Sequence, residues 1–283
     1  MASPFKYSFL FLLMSFSTTA FGQFSLQTPG VESVLYVGKN KNQPLIVGLG
    51  GSEGGNAWTS NYWKNTRDQL LEKGYAFLAI GYFGCKGTPD TLDKISIENV
   101  YQAIQMAAKH ELVNKQKIAI IGGSRGADLA LLLGSYYSDI NCVVSIVGSN
   151  AVFPGHTNHF SSSCWTYQNM ELPFVPVNDE SVPFLIKRDL RGAFTAMLAD
   201  SAAVNKASIK VERINGAILF LSAKQDEICP STPMAEMMVN RLRAKNFKHH
   251  YEHKSFEGSH TEPLKHFDYI FTFLENHFTK PNK

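Results

Sequence analysis

Charge is scarce in this chain and almost balanced. Its 283 residues carry 27 Lys and Arg against 24 Asp and Glu, a formal net charge of +3. No block of one sign occurs. That excludes the basic patch of a nucleic-acid binder and the polybasic stripe of a membrane-surface protein. Cysteine is also sparse: Cys85, Cys142, Cys164 and Cys229 fall at spacings that match no zinc pattern. There is no internal repeat and no low-complexity tract. Past the N-terminus no apolar run approaches the roughly 18 residues of a membrane span, so no stable membrane anchor is expected.

The N-terminus lacks charge more strictly still. Lys6 is the only charged residue before Glu32, and Phe9 to Phe16 is almost wholly apolar. Ala20-Phe21-Gly22 sets small residues at the −3 and −1 positions of a cut before Gln23. This is the pattern of a cleavable secretory signal, with an apolar core too short for a span. No cysteine stands at the cut, so a lipoprotein anchor is not indicated. The expectation is that residues 1–22 are removed and that 23–283, with Lys6 gone and a net charge of +2, is secreted or periplasmic. The remaining length suits one large α/β domain with a solid core. Export permits disulfides, and four cysteines allow three connectivities. Cys142 opens an apolar strand and fits a buried thiol equally well. A bridge from Cys164 to Cys229 or Cys85 stays open.

Apolar runs alternate with amphipathic segments along the rest of the chain. Strands are expected at Pro44–Leu49, Tyr75–Ile80, Ile118–Ile121, Cys142–Val147, Ala217–Ser222 and Lys248–Lys254. Helices are expected at Asn56–Lys73, Ile95–His110 with Ser96 as cap, Arg125–Tyr136, Pro230–Lys245 and Pro263–Phe278. Continuous apolar strands separated by helices predict a mostly parallel sheet covered on both faces. Ligands of such sheets bind at the carboxyl ends of the strands. The rhythm breaks between about 150 and 215, where Pro154, Pro173, Pro176 and Pro183 interrupt a stretch rich in Ser, Asn and aromatics. A connection this long reads as a lid or cap over the site, or else as a surface excursion.

Gly122-Gly123-Ser124-Arg125-Gly126 joins a strand to a helix through a glycine turn with a serine at its apex. That is a nucleophile elbow, in which glycines relieve crowding and the helix N-terminus favours developing negative charge. The motif alone is weak, because glycine and serine are common. A serine hydroxyl needs a base and a group to orient the base, and in this class they follow in the order Ser, acid, His. The acid is expected after the strand ending at Ser222: Asp226, with Glu227 as the alternative. Of nine histidines, His260 stands in the loop between the last strand and the last helix, at the catalytic end. His249, His250 and His253 lie in or beside the late strand, His266 and His277 on the final helix, and His156 and His159 in the lid segment. The oxyanion hole needs two backbone N–H donors. Arg125 is one, and Ser52 or Glu53 in the loop Gly48–Gly55 the other. That loop lacks the Walker lysine, and its G-x-G-x-x-G reading fails at Glu53.

These residues bring the chain close to a known family. The loop Gly50-Gly51-Ser52-Glu53-Gly54-Gly55, then Ala79-Ile80-Gly81-Tyr82-Phe83-Gly84 and Ile95-Ser96-Ile97-Glu98, resemble the acyl-CoA thioesterase and bile acid-CoA:amino acid N-acyltransferase family in its C-terminal α/β-hydrolase domain. Gly123-Ser124-Arg125-Gly126-Ala127, Ile209–Gly216 and Gly258-Ser259-His260-Thr261-Glu262-Pro263 extend the resemblance, which runs from about Pro44 to about Phe278. The family pattern carries Lys where this chain has Arg125, two Asp where it has Gln225-Asp226, and Trp where it has Cys229. Only Asp226 keeps a carboxylate of that pair, which supports it as the acid. The nucleophile is Ser, as in the thioesterase members, not the Cys of the bile-acid transferase.

The resemblance implies an α/β-hydrolase fold and a serine hydrolase with the triad Ser124, Asp226 and His260. It acts on a small-molecule acyl ester or thioester, with no cofactor and no metal. Acyl transfer to an amine or alcohol is the alternative, and a non-catalytic binding protein on a hydrolase scaffold the third reading. Family members also carry an N-terminal β-sandwich for which this chain leaves no room. Export would place the protein where acyl-CoA is scarce.

Overall fold

The computed structural model describes residues 21–279. The expected signal segment, apart from Phe21 and Gly22, lies outside the described residues. Among the described residues there are eleven strands: β1 Gly22–Thr28, β2 Val31–Val37, β3 Gln43–Leu49, β4 Ala76–Gly81, β5 Ile95–Ser96, β6 Val113–Gly123, β7 Ile140–Ile146, β8 Trp165–Tyr167, β9 Met170–Glu171, β10 Ala217–Ala223 and β11 Tyr251–Phe256. The helices are α1 Lys64–Glu72, α2 Ile97–Ala108, α3 Arg125–Tyr136, α4 Val182–Ile186, α5 Leu190–Leu198, α6 Ser201–Ala207, α7 Ser231–Ala244 and α8 Phe267–Leu274.

Eight strands form the main sheet in the order β1-β2-β4-β3-β6-β7-β10-β11. β1 and β2 pair antiparallel, as do β2 and β4, while every pairing from β4 to β11 is parallel. Alternation along each strand sends side chains to two cores. Leu45, Val47, Ile118 and Ile120 enter one, beneath Ile104 of α2, Leu133 of α3 and Leu242 of α7. Ile46, Ala119 and Ile121 enter the other, beneath Leu70 of α1 and Ile270 of α8. Both faces are therefore covered, which is why the strand sequences read as unbroken apolar runs.

The structure departs from the sequence expectations in several places. The apolar period of Asn56–Lys73 spans two elements: a 3₁₀ turn at Ala57–Thr59 and then α1 from Lys64. The final helix is likewise divided into a 3₁₀ turn at Glu262–Lys265, α8, and a π-helical turn at Glu275–Thr279. β1 and β2 carry no expectation at all, and the last strand begins at Tyr251, three residues later than expected. Ser96 caps α2 as expected, its hydroxyl accepting the Asn99 N–H at 3.2 Å. The four cysteines are free thiols, so no bridge from Cys164 to Cys229 or Cys85 forms. Cys164 sits against the Leu92 carbonyl, while Cys229 sits against Val147 and Asp226.

The segment from 150 to 215 folds into β8, β9 and α4 to α6. β8 pairs with β5 in a small three-stranded sheet. Asp189 and Asp200 cap α5 and α6 by accepting the N–H of Gly192 at 2.8 Å and of Ala203 at 3.0 Å, each closing an orphan donor of the first turn. Phe153, Val175, Met197 and Val204 form a separate core with Cys229 and Met234 at the start of α7. This core anchors the segment across the carboxyl edge of the sheet.

Candidate active site

Parallel pairing puts the ends of β3, β6, β10 and β11 on one edge, so the loops after them converge. Ser124 stands between β6 and α3 with φ 52° and ψ −122°. A side-chain-bearing residue held there costs about 1–3 kcal/mol, and it persists because its surroundings fix it. The Ser124 N–H donates to the Ile146 carbonyl at 2.8 Å, and its own carbonyl accepts the Ala127 N–H at 2.9 Å. The flanking glycines are not equivalent. A Cβ on Gly122 would lie 2.7 Å from the Ala127 nitrogen and closer still to the Gly126 carbonyl oxygen. One on Gly126 would lie 2.8 Å from the Leu49 oxygen and closer still to that of Gly50. A Cβ on Gly123 would meet nothing within 4 Å. Crowding thus accounts for the outer glycines of the elbow, Gly122 and Gly126, as the motif implies, while Gly123 stands in open space.

Asp226 is fully buried, and both its oxygens face the His260 Nδ1, at 2.8 and 2.9 Å. The N–H groups of Ile228 and Cys229 also donate to Oδ1, each at 3.0 Å. Burial alone would raise this carboxyl. The hydrogen bonds from His260 and the Cys229 amide outweigh it and leave the carboxyl below its ordinary range. Glu227 takes the other task, accepting the main-chain N–H of His260 at 2.9 Å. The two acids are therefore separated by geometry: Asp226 orients the ring and Glu227 the backbone. Main-chain bonds from Lys224 to Phe256 and from Gln225 to Gly258 tie the acid and histidine loops together. Arg191 of α5 donates to the Asp226 carbonyl.

Ser124 and His260 line one cavity of about 660 Å³. No hydrogen bond joins the serine hydroxyl to the imidazole among the described residues, and such bonds are commonly long before substrate binds. His253 points elsewhere, its Nε2 bonded to the Ser222 hydroxyl at 2.8 Å. His250 and His277 stack with ring centroids 3.6 Å apart beside Glu252, and His266 stacks on Phe256. His156 alone of the lid-segment histidines lines the cavity.

Ser52 and Glu53 also line it, and Gly51 is buried against Ser124, where a Cβ would stand 3.1 Å from the serine Cβ. Tyr82, buried at the end of β4, shapes this loop. Its hydroxyl donates to the Gly50 carbonyl at 2.7 Å and lies 3.4 Å from that of Gly51. Across trans peptides the N–H groups of Gly51 and Ser52 then point away from Tyr82. Burial holds the Tyr82 phenol well above its ordinary value, so it remains a donor. The sequence marks Tyr82 only as part of the motif Ala79–Gly84; that its hydroxyl holds the Gly50 loop has no local signal.

Two trios of metal-type donors lie within 4.8 Å of one another among the described residues: Asp226, Cys229 and His260, and His250, Glu252 and His277. In the first, the acid already engages the imidazole and the thiol.

Residues 95–261 match the model of the family described as BAAT / Acyl-CoA thioester hydrolase C terminal. The chain belongs to this family. It is 29% identical over 175 residues to acyl-coenzyme A thioesterase 1 of Rattus norvegicus, covering 62% of this chain and 39% of the relative. It is 24% identical over 174 residues to acyl-coenzyme A amino acid N-acyltransferase 1 of Mus musculus, again covering 62% and 39%. The chain thus spans less than half the length of these relatives. Among solved structures, an esterase of Pyrococcus furiosus superposes with a TM-score of 0.61 at 14% identity, covering 92% of this chain and 94% of that one. An acetyl xylan esterase of Paenibacillus sp. R4 gives 0.60 at 18% identity, covering 94% and 87%. The fold of this BAAT-family chain is that of the α/β-hydrolases, as the sequence implied.

Proposed function

We propose that this chain is an exported serine hydrolase that cleaves an ester or thioester through an acyl-enzyme. The observation that carries the reading is the buried Asp226 carboxylate held against the imidazole of His260, in one cavity with a serine on a strained elbow. Ser124 Oγ attacks the acyl carbonyl as His260 Nε2 takes its proton, while Asp226 holds Nδ1–H and stabilises the imidazolium. The tetrahedral oxyanion accepts the N–H of Arg125, which as the first helical residue has no intrahelical acceptor, and that of Ser52 or Glu53. His260 then passes the proton to the leaving alcohol or thiol. Water, deprotonated by His260, releases the acid and restores Ser124.

The cavity walls favour an apolar acyl group: Trp58, Trp63, Val177, Leu185, Leu190 and Phe194 contribute. Of the basic residues lining it, Arg125 is paired with Asp128. Nothing among the lining residues forms a cationic cluster for the phosphates of coenzyme A.

Export rests on the N-terminal pattern. A cut after Gly22 leaves the β1 register intact from Gln23, paired with Tyr36, onward. Sequencing the N-terminus of the protein from its native host tests this: Gln23 is expected first, and a retained Met1 would refute it. A panel of esters and thioesters, with and without an amine acceptor, tests the reaction. Hydrolysis lost in Ser124→Ala is expected; conjugate formed in preference to free acid would make the protein a transferase, as one relative is named.

A further inference from the structure

The charges that line the cavity balance, with one exception. Arg125 and Asp128 pair with each other. His156 is held down to about 4 by burial and by the charge of Arg125, so at neutral pH it is uncharged. His260 is bonded to the Asp226 carboxylate behind it. Glu53 stands outside these pairs. It lines the cavity, is exposed at its mouth, and makes no side-chain hydrogen bond or ion pair among the described residues. Its carboxylate folds back over its own loop. Oε1 lies 2.9 Å from where a Cβ on Gly50 would stand, and Oε2 lies 2.8 Å from one on Gly51. That same point on Gly51 is 3.1 Å from the Ser124 Cβ. The carboxylate and the nucleophile are therefore neighbours across one glycine.

This is a costly place for an unbalanced negative charge. In the mechanism proposed above the oxyanion forms against the amides of the same loop, and like charges so close repel. A cation beside Glu53 removes the repulsion. The protein supplies none: among the described residues, no lysine and no arginine other than Arg125 lines the cavity. Lys64, close in sequence, is taken by Asp68. An aromatic wall is present instead. Tyr62 lines the mouth and is 75% exposed, and its ring meets that of Trp63 edge to face at 5.0 Å. A carboxylate with an open ring face is the chemistry that holds an ammonium group.

We propose that Glu53 and Tyr62 form a subsite for an ammonium group carried on the leaving alcohol or thiol of the substrate. The proposal rests on the acyl-hydrolase reading above and narrows its substrate to esters or thioesters of aminoalcohols or aminothiols. The exposure of both residues assigns the cation to the leaving group, because the acyl chain lies along the buried apolar wall. The bond chemistry is unchanged. His260 protonates the departing oxygen or sulfur, and the ammonium forms and breaks no bond. Its charge holds the substrate at the mouth and offsets the Glu53 carboxylate as the oxyanion develops. The same carboxylate repels an anionic leaving group, in keeping with a lining that has no cationic cluster for phosphates.

Butyrylthiocholine and its uncharged isostere S-(3,3-dimethylbutyl) thiobutyrate, in which carbon replaces the nitrogen, test this. The ratio of their kcat/KM values is read within each variant, so a change of rate common to both substrates does not disturb it. Dividing the native ratio by that of Glu53→Gln cancels the difference in their intrinsic reactivity. That quotient is expected to be about 3- to 10-fold at low ionic strength, the range of a partly exposed ion pair. It should shrink in about 0.5 M NaCl, where exposed charges are screened. Glu53→Lys should reverse the preference relative to Glu53→Gln. Tyr62→Leu, which removes the ring face, should lower the ratio about 2- to 5-fold. Binding of butyrylcholine and of 3,3-dimethylbutyl butyrate to Ser124→Ala protein, followed by calorimetry, decides the same question without turnover; the cation should bind more tightly, and adding Glu53→Gln should remove the difference. Were neither thioester hydrolysed, the hydrolase reading would fail while the calorimetry still reported on the subsite. A quotient near 1, a preference for the cation retained in Glu53→Lys, or equal binding of the two esters would overturn the proposal.

Discussion

Replacing Gly123 and Gly126 by alanine, one at a time, should have opposite effects although the positions are three apart. At Gly126 the new methyl would meet the Leu49 oxygen at 2.8 Å and the Gly50 oxygen at shorter range, and both are backbone atoms. No side chain can swing away; either the elbow or the loop after β3 must move. Overpacking typically costs 1–3 kcal/mol, and a clash with two fixed carbonyls belongs at the upper end, about 3 kcal/mol. For a domain of this size that lowers Tm by about 6–12 °C. At Gly123 nothing lies within 4 Å of the added methyl and the backbone has no positive φ. The change there acts through the unfolded chain and stabilises by about 0.4–1 kcal/mol. Thermal unfolding followed by circular dichroism measures both. Equal stability of the two variants would refute the packing of the elbow against the Gly50 loop, and with it the placement of Ser124 beside that loop.

Three further outcomes follow from the site. Asp226→Asn should lower kcat by about 10³- to 10⁴-fold with little change in KM, because the imidazole loses its orienting acceptor; steady-state kinetics on a nitrophenyl ester reads this. Glu227→Gln touches only the His260 main chain, and the same assay should show a loss of less than about 10-fold, since a neutral acceptor remains. Tyr82→Phe removes the donor to the Gly50 carbonyl, 2.7 Å away. Losing this part-buried hydrogen bond should cost about 0.5–1.5 kcal/mol in denaturant unfolding and lower kcat as the loop amides lose their fixed direction.

The parts of the molecule legible in the sequence are those with local signals. The β6–elbow–α3 unit follows from an apolar run, glycines and an Ala/Leu-rich helix, and α3 begins and ends where that pattern does. His260 follows from its loop position. The choice between Asp226 and Glu227 needed three dimensions, because adjacent side chains on a turn point in different directions and only packing decides which meets the imidazole. β1 and β2 escaped because an edge hairpin, partly exposed, carries no long apolar run. The breaks inside the segments read as single helices escaped because periodicity persists across a turn while hydrogen bonding does not. The contacts of Tyr82 with Gly50 and of Arg125 with Pro154 were out of reach for a different reason. Their partners come from separate segments, and no spacing in the sequence records that they meet.

In the proposed mechanism Ser124 is the nucleophile, activated by His260. A fluorophosphonate probe followed by peptide mass spectrometry tests it most directly. One modification is expected, on Ser124, that disappears in Ser124→Ala and falls sharply in His260→Ala, with ester hydrolysis lost in parallel. Labelling of another residue, or full hydrolysis by Ser124→Ala, would contradict it.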